Sequence, residues 1–271
     1  MILYKYMSLT AARAVLETNS IGFSSPNDLN DPFETLALSF QPEIRTVKVL
    51  HDSAHRSRIK ANYALLSLTR NPLNALMWAH YGDNHRGVVI GIDTDKAGLN
   101  NAEKCLIPAQ QGDMIYTATM PRNLLPIPST EDLMGIGNKV SSFDKEDNDL
   151  FKNAFLYKDS SWAYEEEVRV VKNVRTDPYV SKHRECRYSN GAGEWSQIQY
   201  EGRPLYCLSI PRSSIVEIYL GRRFGHNFTK FGKSNEELNT LKSEWMNIVE
   251  GLQQVREKAG TWSLESIPAR I

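Results

Sequence analysis

Residues 164–171 alternate so strictly that they limit what the chain can fold into. In an extended strand Tyr164, Glu166, Val168 and Val170 share one face, and Glu165, Glu167, Arg169 and Val171 share the other. The first face ends in valines suited to a core. The second offers two carboxylates and a guanidinium, with like charges roughly 7 Å apart along the strand, which repel unless something compensates them. Two readings follow. In one, this is a solvated face on which Glu167 and Arg169 pair loosely, a contact worth about 0–1 kcal/mol. In the other it is a Glu-x-Glu catalytic strand lining a cleft. Residue types alone favour the first, because perturbed carboxylates are commoner in structural networks than in mechanisms.

The flanking sequence sets the fold class. Ile2–Tyr6 reads as a short strand, followed by a helix with Leu9, Ala12, Val15 and Leu16 at helical spacing and Ser8 or Thr10 as cap, ended by Asn19-Ser20. Ile21–Ser25 reads as a second strand. Pro26-Asn27-Asp28-Leu29-Asn30-Asp31-Pro32-Phe33-Glu34 is dense in turn formers, so it is either a self-capped loop or a pocket edge presenting Asn30, Asp31 and Glu34. A polar, basic-leaning helix is expected over about 41–62, a strand over 63–69, and a helix after Pro72 with Leu73, Leu76, Met77, His80 and Tyr81 on one face and Trp78 off it. Gly87 is placed to cap that helix in a left-handed conformation, ahead of an apolar strand over 88–93. Signals weaken between 95 and 149, where Pro121, Pro126 and Pro128 break the chain and Met114-Ile115-Tyr116 is a strand candidate. An amphipathic helix is expected over 143–157, a charged excursion over 176–201 with a hairpin at Asn190-Gly191, strands over 205–210 and 215–221, and a closing helix over 234–258. Helices and strands interleave irregularly, which favours an α+β fold with a mixed, mostly antiparallel sheet core flanked by helices. A chain of 271 residues without a clear linker is read as one domain, with 222–271 as a helical extension.

Totals exclude some functions. Lys plus Arg equals Asp plus Glu at 32 each, so no global field draws the protein onto nucleic acid or an anionic membrane. There is no apolar run of 18 residues and no signal-peptide layout, hence no expected membrane partner. Cys105, Cys186 and Cys207 are odd in number and far apart, which fits neither a disulfide framework nor a zinc knuckle and suits a reducing cytoplasm. His80, Asp83 and His85 could supply a metal trio by type, but the two histidines lie five residues apart, about 500° around a helix, so no metal is expected.

Four stretches resemble one family together: Leu3-Tyr4-Lys5-Tyr6; Phe23-Ser24 through Asn30-Asp31-Pro32-Phe33-Glu34; Leu76-Met77-Trp78-Ala79-His80-Tyr81 with His85 and Gly87; and Trp162-x-Tyr164-Glu165-x-Glu167-x-Arg169. Their order and spacing look like the bacterial domain of unknown function 2971, over about residues 3–221. A second resemblance implies an activity. Leu3-Tyr4-Lys5 and Gly22-Phe23-Ser24 take the places of the opening motifs of ADP-ribosyltransferases, and Glu165-x-Glu167 takes the place of their catalytic Glu-x-Glu strand. Lys5 departs from the usual His or Arg. It can still reach a ribose hydroxyl or a phosphate, without a planar donor set.

That resemblance implies an ADP-ribosyltransferase-like fold and NAD as substrate. NAD would be cleaved at the nicotinamide–ribose bond, through an oxocarbenium-like state that needs a fixed carboxylate near the ribose. Glu167 is expected to hold the ribose and stabilise charge, Glu165 to orient the acceptor, and Arg169 to keep Glu167 ionised or bind pyrophosphate. Lys5, Tyr6, Ser24, Asn30, Asp31, His80 and Tyr81 are expected around NAD, with Tyr6, Tyr81 or Trp78 stacking on nicotinamide. The acceptor would be a macromolecule, protein or nucleic acid, the setting a toxin or anti-phage effector, and a partner protein could silence it. Alternatives are a nuclease or other hydrolase using His80, His85, Asp31 and Glu167, and a non-catalytic nucleotide-binding module.

Overall fold

A computed structural model describes residues 1–41, 45–121, 124–127, 129–137, 142–144, 148–175, 187–225 and 235–269. Residues 176–186 of the expected excursion, with Cys186, and also Pro128 and Ser234, lie outside the described residues. The fold is α+β. An eleven-stranded, mostly antiparallel mixed sheet runs through the described residues. One arm holds β1 (Ile2–Met7), β4 (Val88–Asp93), β11 (Ile215–Leu220), β12 (Leu252–Glu257) and β13 (Leu264–Pro268), with β11 and β12 parallel. The other holds β2 (Ser20–Ser24), β10 (Arg203–Ser209), β9 (Gly193–Tyr200) and β8 (Arg187–Asn190), the last two joined in a hairpin at Gly191-Ala192.

The arms meet at β3 (Tyr63–Thr69), and this junction makes the site. One edge of β3 pairs along its length with β7 (Glu167–Asn173). Its other edge meets β1 only at Tyr4↔Thr69 and β2 only at Ser24↔Leu65. Between those two pairs β1 and β2 diverge, and a gap opens over the middle of β3. Side chains on β3 and β7 follow the period of two. Ala64, Leu66, Leu68, Val168 and Val170 enter one core. On the opposite face Tyr63, Leu65 and Val171 enter a second core beneath α2 (Arg45–Asn62) and α5 (Asn148–Phe155), while the register continues as Ser67↔Arg169 and Thr69↔Glu167. One face is therefore apolar at one end and polar at the other. A one-residue slip would drive the carboxylate into the first core, so burial on both faces fixes the register.

α1 (Leu9–Thr18) is capped by Ser8, whose side chain accepts from the Ala11 amide, and ends at Asn19 in a left-handed conformation. α3 (Ala75–His80) is capped by Asn74, whose Oδ1 accepts from the Leu76 and Met77 amides. The remaining elements are β5 (Ile115–Thr117) parallel to β6 (Tyr157–Asp159), α4 (Thr130–Gly135) and α6 (Asn235–Met246).

Several expectations are corrected. The acidic stretch is not one strand. Ser160–Glu165 forms a 3-10 helix, Glu166 adopts a left-handed conformation (φ 45°), and β7 starts at Glu167. The closing helix stops at Met246, because Leu252 and Val255 are buried and extend beside β11, so the tail carries two strands as well as a helix. The helix expected up to Tyr157 ends at Phe155, since Tyr157 and Lys158 pair with β5. Trp78 is fully buried rather than off the stripe, and Leu76 is exposed. After α3 the left-handed residues are Asp83, Asn84 and His85, not Gly87. Gly87 is required by a close approach instead, since a Cβ there would lie 2.2 Å from the Met7 carbonyl oxygen.

Candidate active site between the sheet arms

The gap over β3 is a cavity of about 150 Å³. Its walls come from β1 (Tyr4, Lys5, Tyr6), Ser24, the loop after β2 (Leu29, Asn30, Glu34), β3, α3 with Tyr81, and Lys158, Glu165, Glu167 and Arg169. The solvated reading of the Glu-x-Glu stretch is overturned: every residue of β7 is buried, as is Glu165. Glu165 and Glu167 reach the same cavity although they lie on different elements, because the left-handed kink at Glu166 turns that residue out to solvent. Backbone bonds from Met114 N to Glu167 O (3.2 Å) and from Arg169 N to Gly112 O (2.8 Å) cover the outer edge of β7. A Cβ on Gly112 would collide with the Arg169 carbonyl, so that approach needs glycine.

Three carboxylates and three cations line the cavity: Glu34, Glu165 and Glu167 against Lys5, Lys158 and Arg169. Arg169 is 1% exposed and all five of its N–H groups find acceptors. Nε donates to Glu167 Oε1 (2.8 Å), Nη1 to Glu34 Oε2 (2.8 Å) and the Phe155 carbonyl (2.7 Å), and Nη2 to Glu34 Oε1 (2.5 Å) and Glu167 Oε2 (3.4 Å). Of the two roles expected for Arg169, it therefore holds Glu167 in place. No donor remains for pyrophosphate. Lys158 Nζ bridges the two glutamates, donating to Glu165 Oε2 (2.6 Å) and Glu167 Oε2 (3.1 Å). Tyr81 donates to Glu165 Oε1 (2.6 Å) and accepts from Asn30 Nδ2 (3.0 Å). The Glu167 amide donates to the Tyr116 hydroxyl (2.9 Å). Lys5 Nζ donates to the Ser67 carbonyl (2.9 Å), which lies between the two points where β3 touches β1 and β2.

The charges set protonation. Burial alone would raise the Glu167 carboxyl, but the Arg169 and Lys158 charges outweigh it and bring it from 4.5 down to about 2. Lys158 is penalised by burial and by Arg169, yet the two glutamates hold it above its ordinary value. Burial lowers Lys5, with Glu167 and Glu165 pulling the other way. The Tyr81 hydroxyl is pushed up by burial and by its bond to Glu165. At neutral pH Glu167 is thus a permanently ionised group, suited to fixed electrostatic work and unsuited to giving up a proton.

This shift has a stability consequence. A carboxylate lowered by folding stabilises the protein above its unfolded-state value, and that stabilisation is lost as pH falls through the folded value. For Glu167 the window runs from about 4.5 down to about 2, and the contribution is about 3 kcal/mol. Urea unfolding of the parent and Glu167→Gln at pH 7, 4 and 3 should show the gap between them closing toward pH 3. A gap that stays constant with pH would contradict the assigned cause.

Of the residues singled out in the sequence, Lys5, Tyr6, Ser24, Asn30, Tyr81, Glu165, Glu167 and Arg169 line one cavity. Asp31 and His80 do not. Asp31 is buried and caps the following turn, accepting from the Phe33 amide (2.9 Å). It lines a separate hollow of about 160 Å³ with Phe33 and Lys158. His80, at the exposed end of α3, lines an outer hollow of about 400 Å³ that shares Asn30 and Tyr81 with the inner cavity. His85 lies elsewhere, its amide bonded to the Trp78 carbonyl and its own carbonyl to the Arg223 amide. His80, His85, Asp31 and Glu167 are therefore not gathered at one point. Trp78 donates Nε1 to Pro72 O (2.9 Å) and packs edge-on behind Tyr6 (5.2 Å), so it supports the wall without facing the cavity. The sequence reading gave Lys158 no role and took Tyr4 only as part of the opening motif, yet both line the cavity. One signal pointed to Lys158: three successive glutamates beside a single arginine need another buried cation if the stretch is buried.

With this geometry in hand, residues 77–170 match the family model described as Protein of unknown function (DUF2971). The matched segment supplies Met77, Tyr81, Lys158, Glu165, Glu167 and Arg169, whereas Lys5, Tyr6, Ser24, Asn30, Glu34 and β3 lie ahead of it. The match is shorter than the 3–221 expected from the motifs. No curated protein matches the chain. No solved structure matches it either. Among the described residues no helix is long and apolar enough to cross a membrane, and Cys105 and Cys207 are free thiols.

Proposed function

We propose that the cavity holds the ribosyl end of NAD and that the protein is an ADP-ribosyltransferase-like enzyme cleaving the nicotinamide–ribose bond. The observation that carries this is the convergence of two buried glutamates, tied to Lys158 and Arg169, on the hollow that β1 opens with Lys5 and Tyr6. A buried ionic cluster is costly to desolvate and stabilises little compared with apolar packing, so its place on a cavity wall points to use rather than to stability.

In this reading the departing nicotinamide leaves a positively charged ribosyl ring, and Glu167, ionised at every physiological pH, stands ready to oppose it without reorganising. Glu165 accepts one bond on each oxygen, which leaves capacity to orient an incoming hydroxyl or amine. Tyr6 and Tyr81 flank the ring. Lys5 faces the ribose hydroxyls. About 150 Å³ is too little for a whole dinucleotide, so the remainder would continue past Asn30 and Tyr81 into the outer hollow. An enzyme that drains NAD endangers its own cell, which is the case for a toxin or defence role and for a silencing partner.

A second reading, a nucleotide-binding module without catalysis, draws on the same network: both oxygens of Glu165 and of Glu167 already accept bonds. Incubation with NAD labelled in its adenylate half, with and without cell lysate, separates the two. Label on a macromolecule marks transfer, and free ADP-ribose marks hydrolysis. Intact NAD together with a raised melting temperature marks the binding module.

A further inference from the structure

The outer hollow has walls of its own. Trp162, Tyr164, His80 and Tyr81 surround it, completed by Asn30 and Ser161. Ring centroids lie 6.3 Å apart for Trp162–Tyr164, for His80–Tyr164 and for His80–Tyr81, with Trp162 and Tyr164 only 32° from parallel. These rings are held from behind. Asp159 caps the 3-10 helix that carries Trp162 and Tyr164, accepting from the Ser161 amide (2.8 Å). Asn74 Nδ2 donates to the Tyr164 carbonyl (2.7 Å). The Lys158 ammonium sits 4.9 Å from the Trp162 ring. His80 is exposed, and Trp162 and Tyr164 are half-buried, so their faces are not consumed by a core.

We propose that this hollow is a stacking site for an uncharged planar heterocycle, a nucleobase, placed beside Glu165. Aromatic faces accept any base by stacking, while the Asn30 amide and the Ser161 and Tyr81 hydroxyls suit the polar edge of a base. Among the described residues, no Lys, Arg, Asp or Glu lines the hollow. An aromatic cage could attract a cation, but the Lys158 ammonium already sits on the Trp162 ring and repels a second positive charge, and a nucleic-acid strand would call for a track of basic side chains. The site therefore fits a mononucleotide-sized ligand. Tyr81 belongs to both hollows and bonds Glu165 at 2.6 Å, so a base seated here lies one side chain from that carboxylate. Which nucleotide brings the base rests on the NAD reading above. It is either the adenine end of the dinucleotide or the base of a second nucleotide acting as acceptor.

The test is calorimetric titration of the full chain with AMP. The parent should bind saturably, Trp162→Leu roughly tenfold or more weakly, and Trp162→Phe, which keeps a ring, within about threefold of the parent. No binding by the parent at millimolar AMP, or unchanged affinity in a folded Trp162→Leu, would overturn the proposal. Should Trp162→Leu fail to fold, His80→Ala, at an exposed position, serves in its place, with weakened AMP binding expected and unchanged binding overturning the proposal. Repeating the titration with NAD and then with nicotinamide mononucleotide separates the sources. AMP excluded by NAD but not by the mononucleotide identifies the adenine end, and AMP binding alongside NAD identifies a second nucleotide. A protein that binds AMP in this way yet leaves NAD intact defeats the enzymatic reading and leaves the stacking site standing.

Discussion

Arg169→Met should lower the unfolding free energy by about 3–5 kcal/mol, the range for removing one partner of a buried ion pair. Arg169 is 1% exposed and is shared by Glu34 and Glu167, so the substitution strands two buried carboxylates at once. Methionine fills much of the volume, which isolates the charge from the packing. Urea unfolding monitored by circular dichroism reads the loss as a lower midpoint at unchanged slope. Arg169→Lys should fall in between, because an ammonium cannot reproduce the two-pronged contact with Glu34. Adding Glu34→Leu to Arg169→Met should recover part of the loss by removing one stranded carboxylate. A loss under about 1 kcal/mol in the single variant would place the network among loose surface pairs instead.

Glu167→Gln should reduce nicotinamide release from NAD by on the order of 10²–10³-fold, the scale on which a fixed electrostatic partner of the transition state contributes. Glutamine keeps the shape and loses the charge. The stability difference between parent and variant must be measured alongside, since Lys158 and Arg169 then face one carboxylate fewer. An unchanged rate in a folded Glu167→Gln would remove Glu167 from the reaction. A rate that falls only in step with the folded fraction would assign it to stability alone.

Which parts were legible in the sequence follows from the range of the forces involved. The period-two pattern of 167–171 and the apolar run 63–69 announce their strands, because a strand's faces are decided by neighbours in sequence. The grouping of Lys5, Ser24, Asn30 and Tyr81 with the acidic stretch could be anticipated from resemblance, but no local rule brings these positions together. The junction at β3, where two sheet arms diverge, does so. The 3-10 turn at 160–165 was hidden because alternation reads through it, and only the left-handed Glu166 shows that the strand has not yet begun. The run of glutamates calls for a further cation but does not say that Lys158 supplies it. Its role as the cation between two glutamates depends on β6 pairing with β5 in a two-stranded sheet of their own, apart from the sheet that holds β7. The closing helix was overextended because Leu252 and Val255 suit a helical stripe and a strand face alike, and pairing with β11 decides between them.

If NAD is broken in the cavity between β1 and the two glutamates, free nicotinamide is the product to follow. Purified parent protein incubated with NAD, in buffer and again with lysate, should release nicotinamide steadily over many turnovers, as read by chromatography. A folded parent that leaves NAD intact under both conditions would contradict the claim.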